Sequence, residues 1–410
     1  MAVIRPFRAL RPYPAEAARV AAVPYDVVTT EEARALAADN PLSFLRVSRP
    51  ELELAPGIDP HAAEVYDRAV QNFESLRARA MLVEDEPSLY LYRLRRGAHE
   101  QTGLAACFSL DEYDCDLIKK HERTRRDKED DRTRHMVALR AQTGPVFLTY
   151  RKWKAIDSLT AREVDAPPLF DFEAVDGVRH TVWRVTSPGR MALVGAFEEI
   201  PSLYIADGHH RAASAARARA DIGRAAVGSG QPHGDADGTT FLAVAFPHDQ
   251  AEILPYNRAV KDLAGLDAVA FQRAVRDRFE MSAGPATPER PGDIAMYCGG
   301  AWTTLRPRSR PDPSDAIGSL DVSVLQDQLL APVLRIADVR TDARIEFVGG
   351  ARGTVELEQR VDSGAAGVAF SLYPVRVEQL MAVSDAGAIM PPKSTWFEPK
   401  LRDGLLIHLI

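Results

Sequence analysis

The feature that most constrains the fold is a short apolar strand at 203–206 that runs into an Asp-Gly turn and then into a helix. The residues Leu-Tyr-Ile-Ala favour an extended strand, and the Asp-Gly pair that follows ends it. Residues 209–221 are rich in alanine and arginine, which favours a helix. A strand that leads directly into a helix is a unit of mixed α/β architecture, so the sequence predicts a sheet with helices packed on it.

The turn between this strand and this helix has the residues of a phosphate site. The first N–H groups of a helix lack partners within the helix and lie at the positive end of its dipole, so an anion there accepts several hydrogen bonds. Gly208 lacks a Cβ and lets a phosphate approach the backbone. Side-chain donors come from His209, His210 and Arg211. Asp207 is placed to cap the helix, orient a histidine or hold a magnesium ion. A plain helix cap followed by exposed polar residues is the alternative.

A second candidate lies in the most charged segment of the chain, residues 119–134, which mixes basic and acidic side chains. Near its start, His121 and Glu122 stand at a predicted strand-to-helix junction. The glutamate there offers a carboxylate base, and its basic neighbours would face phosphates. The alternative is a solvated helix whose opposite charges pair along its surface.

A third candidate is a proline-stiffened loop near the end of the sequence. Lys393, Ser394 and Thr395 are followed there by Trp396 and Phe397. Such a loop would clamp a nucleotide, with the lysine on a phosphate and an aromatic ring on the base. A chain segment packed by its two aromatic residues is the alternative.

Two short motifs are weaker candidates for a site. Asn257 and Arg258 follow a Pro-Tyr pair before a predicted helix, and Asp26 follows another Pro-Tyr pair. A turn explains the first motif and a helix cap explains the second, so a role in substrate binding needs further support.

Composition excludes several classes of protein. The 410 residues are 46% hydrophobic and 27% charged, which is ordinary for a globular protein of two or three domains. The net charge of −7 argues against binding to DNA, which needs a cationic surface. Three cysteines without CxxC spacing argue against a disulfide framework or a zinc site. No signal peptide and no long apolar run is recognised, so the sequence predicts a cytoplasmic protein without a membrane segment. Nothing in the sequence indicates the oligomeric state.

The remaining pattern alternates helices and strands. The polar, glycine-rich stretch 228–239 predicts a flexible loop. Beyond it, the spacing of apolar residues predicts helices at 267–279 and 321–332 and strands at 293–298 and 369–373.

Six segments of the sequence together resemble a domain family of bacteria and archaea whose function is unknown. They include the turn, the charged segment and the terminal loop, and they are 22–26, 40–45, 120–132, 204–211, 254–258 and 392–400. Because they span nearly the whole sequence, the chain is identified as a member of that family. A central part of the family resembles the ParB/sulfiredoxin fold. None of the cysteines lies in the phosphate turn, as sulfiredoxin chemistry would require, and the acidic balance argues against ParB-type DNA binding.

This resemblance implies an α+β fold with a ParB/sulfiredoxin-like core and additional N- and C-terminal α/β regions. The implied regions are an N-terminal one at 1–104, a phosphate-binding core at 105–259 and a C-terminal one at 260–410, which the sequence leaves free to interleave with the core.

Within that fold, the motifs resemble those of the ADP-dependent free serine kinases, in which a His-Glu pair precedes an Asp-Gly-His-His-Arg turn. The resemblance implies that Glu122 is the base on the serine hydroxyl and that Asp207 is an orienting or metal-linked acid. The implied phosphate and nucleotide ligands are Gly208, His209, His210, Arg211, Lys393, Ser394 and Thr395. The implied substrate-side residues, all within the matching segments, are Asp26, His121, Arg132, Asn257 and Arg258.

The implied function is phosphoryl transfer from ADP or ATP, with magnesium, to a small hydroxyl compound. Free L-serine, giving O-phosphoserine, is the acceptor that the resemblance favours. Two alternatives remain open: a nucleotide sensor without catalysis, and a nucleotide hydrolase that uses water as the acceptor. Glu122 separates these functions, because an enzyme needs that carboxylate beside the acceptor and a sensor does not.

Overall fold

The computed structural model describes residues 2–229 and 238–410, so most of the loop predicted at 228–239 lies outside the described residues. The chain divides into two compact units. The first is Met1–Ala251 together with Pro399–Ile410, and the second is Glu252–Glu398. The second unit is therefore inserted into the chain of the first. The divisions expected at 104 and 259 fall inside two strands, His99–Ser109 and Tyr256–Val260. The mixed α/β class is confirmed.

Nine of the described strands in the first unit form one sheet. Its strand Thr240–Pro247 is buried at every position, as expected for a central strand covered on both faces. Eight strands follow one another across the sheet in this order: Ile118–Lys119, Leu203–Asp207, Val146–Tyr150, Thr240–Pro247, His99–Ser109, Tyr90–Arg96, Arg179–Arg184 and Phe170–Glu173. Ile4–Arg5 pairs with His99–Ser109 outside that sequence of strands.

A smaller sheet ties the end of the sequence to the first unit. Ile407–Leu409 pairs with both Ala9–Pro12 and Ala141–Gln142, and Met81–Val83 pairs with the other side of Ala9–Pro12. These antiparallel pairings hold residues 399–410 against the early part of the chain.

Helices of the first unit cover these sheets. Thr29 caps one of them through a capping box, since its hydroxyl accepts from the Glu32 N–H at 3.2 Å while the Glu32 carboxylate accepts from the Thr29 N–H at 2.8 Å. The α-helices are Ala17–Val20, Thr30–Ala37, Leu45–Ser48, Ala63–Ala80, Leu110–Asp114, Arg126–Leu139, Lys154–Glu163, Ser187–Glu198 and His209–Ser229, with 3-10 turns at Pro14–Glu16 and Pro50–Glu53. No helix within the described residues combines the length and the apolar content needed to cross a bilayer.

The second unit has its own sheet and its own apolar core. The strands of this sheet, in order, are Phe279–Ala283, Ala301–Pro307, Ile294–Cys298, Val368–Leu372, Tyr256–Val260 and Ile345–Gly349. Glu252–Leu254 and Trp396–Glu398 form a separate pair. The helices are Ala268–Arg276, Asp321–Leu325, Val355–Asp362 and Val377–Asp385, with a π turn at Gln326–Leu330 and a 3-10 turn at Gly350–Arg352.

Candidate functional site

Parallel strand pairing brings two distant motifs of the sequence together. Leu203–Asp207 runs parallel to Ile118–Lys119, with Tyr204 opposite Lys119. Because paired parallel strands end at the same edge of a sheet, the residues that follow each strand meet there. His121 and the Asp-Gly-His-His-Arg turn therefore lie side by side. The prediction that they belong to one site requires this proximity.

The turn itself has the conformation that its sequence predicts. Gly208 has a φ of +93°, a backbone conformation that favours glycine, and a Cβ at this position would lie close to the Arg211 side chain, 3.0 Å from its Nε. The Gly208 N–H donates to Oδ1 of Asp207 at 2.9 Å, and the Ala212 N–H donates to the Gly208 carbonyl at 3.1 Å.

Three successive N–H groups follow at the amino end of the 21-residue helix His209–Ser229. Within the part of the chain that the structure describes, the backbone N–H groups of His209, His210 and Arg211 have no hydrogen-bond partner. N–H groups in this position are able to bind an anion, and the phosphate role of the turn stays a prediction.

Asp207 is held by cations of the protein itself. Its Oδ2 lies 3.1 Å from Nζ of Lys400 and 3.6 Å from Nη2 of Arg211. Burial alone would raise the pKa of Asp207, but Lys400 and Arg211 outweigh that effect and hold the pKa well below its usual range. Lys400 and Arg211 already neutralise the charge on Oδ2 of Asp207, and the magnesium role of this carboxylate stays a prediction.

Two buried imidazoles lie in edge-to-face contact at the site. The rings of His121 and His209 have centroids 4.4 Å apart, and the backbone N–H of His121 donates to Nε2 of His209 at 3.4 Å. Burial lowers the pKa of His121 to about 4 and also lowers that of His209, so both rings are neutral at neutral pH.

The carboxylate of Glu122 lies beside this pair of rings. Its Oε2 is 3.8 Å from Nδ1 of His209, and its side chain is 57% exposed. Glu122 is thus the solvent-facing member of the cluster, within reach of a bound molecule.

His210 has a different position from its neighbour. Its Nε2 accepts the backbone N–H of Arg125 at 3.0 Å, which fastens the residue before the helix Arg126–Leu139 to the long helix. Residues Arg126–Leu139 form the helix that was the alternative prediction for that segment, and its acids pair with Arg217 of the long helix.

Arg211 points inward, away from open solvent. Its side chain is 11% exposed, Nη1 donates to the carbonyl oxygen of Pro145, and Nε has no partner among the described residues. The nearby charges that affect its pKa include Asp207, Asp26 and Asp403, which raise it against the effect of burial.

A small cavity of about 40 Å³ adjoins Arg211. Tyr25, Ser48, Arg132 and Asp403 also line it. The guanidinium of Arg132 lies 4.2 Å from the ring centroid of Tyr25. Ser48 Oγ and Asp403 Oδ1, like Arg211 Nε, are buried without a partner in the described residues. Residues with unpartnered polar atoms of both donor and acceptor type therefore line one small cavity.

Asp403 and Lys400 were not among the residues expected at this site. Burial raises the pKa of Asp403 to about 7, and the nearby carboxylate of Asp26 adds to the shift, while Arg211 opposes it. Lys400 lies within a segment that resembles the family, but nothing in its spacing links it to Asp207, 193 residues away. Asp403 follows that segment and has no local signal at all.

The remaining candidates belong to the second unit. Asn257 Oδ1 accepts the Leu372 N–H at 3.2 Å, and the buried Arg258 donates from Nη2 to the Lys393 carbonyl at 3.1 Å. Ser394 Oγ donates to the Pro391 carbonyl at 2.5 Å, and Lys393 Nζ lies 5.4 Å from the ring centroid of Tyr256. These contacts fasten the terminal loop within the second unit. The nucleotide roles of Lys393, Ser394 and Thr395 stay predictions.

Comparison with known proteins places the chain in a family. The family model described as "Protein of unknown function (DUF1015)" matches residues 4–323. The chain belongs to this family. This finding confirms the family expected from the six segments. No curated protein matches the chain.

Several solved structures are similar to the chain at low identity. A C-terminally truncated SbnI from Staphylococcus aureus is 14% identical, with a TM-score of 0.38, over 74% of this chain and 87% of that chain. A free serine kinase in complex with AMP is 13% identical, with a TM-score of 0.35, over 74% and 91%. A conserved hypothetical protein from Pyrococcus furiosus is 13% identical, with a TM-score of 0.36, over 74% and 95%.

Proposed function

We propose that this protein transfers a phosphoryl group from ADP or ATP to a small hydroxyl compound, with free L-serine as the favoured acceptor. One observation carries the proposal: N–H groups without a partner among the described residues, at the amino end of the long helix, lie at the same edge of the sheet as the exposed carboxylate of Glu122. The proposed phosphate-binding N–H groups and the proposed base are therefore adjacent.

The helix end supplies charge stabilisation for the phosphoryl group. Phosphoryl transfer depends mainly on alignment and on neutralising charge over the phosphate oxygens. Three N–H groups in succession, from His209 to Arg211, provide fixed donors that need no reorganisation during the reaction. The inward Arg211 adds positive charge behind them. Magnesium, where required, would bind to the nucleotide phosphates, because Asp207 already forms an ion pair with Lys400.

Glu122 would supply the base. In the proposed step its carboxylate accepts the proton of the acceptor hydroxyl while the hydroxyl oxygen bonds to the terminal phosphorus of the nucleotide. The bond from that phosphorus to the bridging oxygen breaks, and the shortened nucleotide leaves. The exposure of Glu122 allows contact with an acceptor, and the neutral His209 beside it does not hold the carboxylate in a strong ion pair.

The test compares wild type with Glu122→Gln in an assay for phosphoserine made from serine with ADP or ATP and magnesium. We expect nucleotide affinity to be retained and the rate to fall by about 10²–10⁴-fold, the contribution of a positioned base. Glu100→Gln is the matched control, because Glu100 also follows a histidine and is also exposed, at 43% of its side chain.

Each result has a distinct meaning for the proposal. Nucleotide binding without any phosphorylated product from serine or related hydroxyl compounds would reject it and favour a sensor. Release of inorganic phosphate at the same rate with and without an acceptor would reject it in favour of a hydrolase. A Glu122→Gln protein as fast as wild type would remove Glu122 from the role of base.

A further inference from the structure

We propose that His121, Glu122 and His209 form a binding site for one divalent transition-metal ion. Each of these residues offers one ligand atom, and the three atoms all lie within 4.8 Å of one another. The inference goes beyond the proposed function, because it requires neither nucleotide nor acceptor.

One ring nitrogen of this cluster supports the presence of a bound ion. His121 is 2% exposed, and within the described residues its Nδ1 has no hydrogen-bond partner. A buried polar atom without a partner destabilises the folded state, so such an atom calls for an explanation. A metal ion bound to Nδ1 would satisfy it.

The surroundings hold His121 in a suitable orientation. A hydrogen bond between its ring and the backbone of Ile205 fixes the imidazole against the strand. Metal-binding histidines are usually held in this way, with a backbone carbonyl or carboxylate on the ring nitrogen that does not face the metal.

His209 presents its Nδ1 toward Glu122 at 3.8 Å. Binding through Nδ1 moves the ring proton to Nε2, at the cost of the hydrogen bond that Nε2 accepts from His121. That bond is long, at 3.4 Å, and therefore weak. No proton needs to leave the ring.

The separation of the ligand atoms is close to what a metal requires. With metal–ligand bonds of about 2.0–2.1 Å in a tetrahedral site, the ligand atoms lie roughly 3.3 Å apart. The largest separation here is 4.8 Å or less, so closure requires a movement of at most about 1.5 Å. The side chain of Glu122 is 57% exposed and can move toward a bound ion, whereas both imidazoles are buried.

The ligand set selects the kind of metal. Two imidazole nitrogens and one carboxylate oxygen suit zinc, cobalt, manganese, iron or nickel, whereas magnesium and calcium prefer oxygen ligands alone. Three protein ligands also leave a coordination position for water or for an oxygen of a bound anion.

Metal binding and the proposed role of Glu122 make opposite demands on one carboxylate. A carboxylate bound to a cation is a weaker base, so an occupied site should slow phosphoryl transfer. The two ideas can nevertheless be tested apart, since binding of the metal alone is measured without nucleotide.

The experiment titrates the metal-free full-length protein with Co²⁺ and follows both visible absorption and heat. We expect one ion per chain, an absorption spectrum of nitrogen-ligated cobalt, and displacement by Zn²⁺. Glu122→Gln should weaken binding by at least about 10–100-fold, the loss caused by removing even an outer partner of a metal ligand. Glu122 is exposed, so this variant should remain folded.

Two further variants complete the experiment. Glu100→Gln, beside His99 in an exposed part of a strand, should bind Co²⁺ as wild type does. His121→Ala should abolish the spectrum, and should it fail to fold, Glu122→Gln alone decides. Equal Co²⁺ affinity in wild type and Glu122→Gln, or no binding in wild type, would overturn the inference whatever the outcome of the phosphotransfer assay.

Discussion

Replacing Asp403 with asparagine should change how the stability of the protein depends on pH. Asp403 is 4% exposed, and burial raises its pKa from 3.8 to about 7. The charged groups that face it are Asp26, which raises the pKa further, and Arg211, Arg132 and Arg402, which lower it. Asparagine has nearly the same shape but no proton to lose.

The direction of this pH dependence follows from the raised pKa of Asp403. Between about pH 4 and pH 7 the folded protein keeps a proton on Asp403 that the unfolded chain has released, so the free energy of unfolding falls as the pH rises through that range. A pKa raised from 3.8 to about 7 lowers the free energy of unfolding by on the order of 4 kcal/mol once Asp403 is ionised in both the folded and the unfolded state. Asp403→Asn removes this cost, so the variant should match wild type at acid pH and exceed it at about pH 8.

Urea denaturation of both proteins at a series of pH values measures this difference. Asp131→Asn is the matched control of opposite sign. Burial would raise the pKa of Asp131, but Arg132 and Tyr66 outweigh it and lower the pKa, so loss of this carboxylate should destabilise the protein at neutral pH. Parallel pH profiles for wild type and Asp403→Asn would refute the reasoning.

Three further substitutions test contacts around the site. Arg211→Ala should weaken nucleotide binding by about 1–3 kcal/mol in calorimetric titration, and unchanged affinity for every nucleotide that binds would reject its role. Gly144→Ala should lower the free energy of unfolding by about 1–3 kcal/mol, because a Cβ there would lie 2.6 Å from Oδ1 of Asp403. Gly195→Ala, where a Cβ meets nothing within 4 Å, is the control and should be neutral or stabilising. Lys400→Ala should cost about 1–3 kcal/mol of the free energy of unfolding at neutral pH, because the partly buried carboxylate of Asp207 loses a partner. The cost should be smaller in acid, where that carboxylate gains a proton, and an equal loss at both pH values would contradict the pairing.

Local patterns predicted the elements of the fold. The strand and helix expected at 203–206 and 209–221 correspond to Leu203–Asp207 and His209–Ser229. Their apolar, turn and alanine-rich residues stand next to one another in the sequence, so short-range preferences were sufficient. The helix expected at 321–332 is instead Asp321–Leu325 continued by a π turn, a distinction that helical periodicity does not encode.

Contacts of the site were predictable only where a known motif linked its parts. His121 and His209 meet because two strands pair in parallel, a long-range event that the composition of neither segment indicates. Arg211 was expected to face a ligand, yet much of its side chain is engaged with Pro145 and Asp207. Lys400 adjoins Asp207 only because the end of the sequence returns to the first unit, where Ile407–Leu409 joins the smaller sheet.

The insertion of Glu252–Glu398 into the chain of the first unit has a consequence for synthesis. A ribosome makes the phosphate turn long before it makes Lys400 and Asp403, and the whole second unit must emerge in between. Until then Asp207 has Arg211 but lacks Lys400, and the strand Ala9–Pro12, paired with Met81–Val83 on one side, lacks its partner Ile407–Leu409 on the other. The nascent first unit is therefore completed last, and translation arrested before residue 399 would leave a sheet edge open to aggregation.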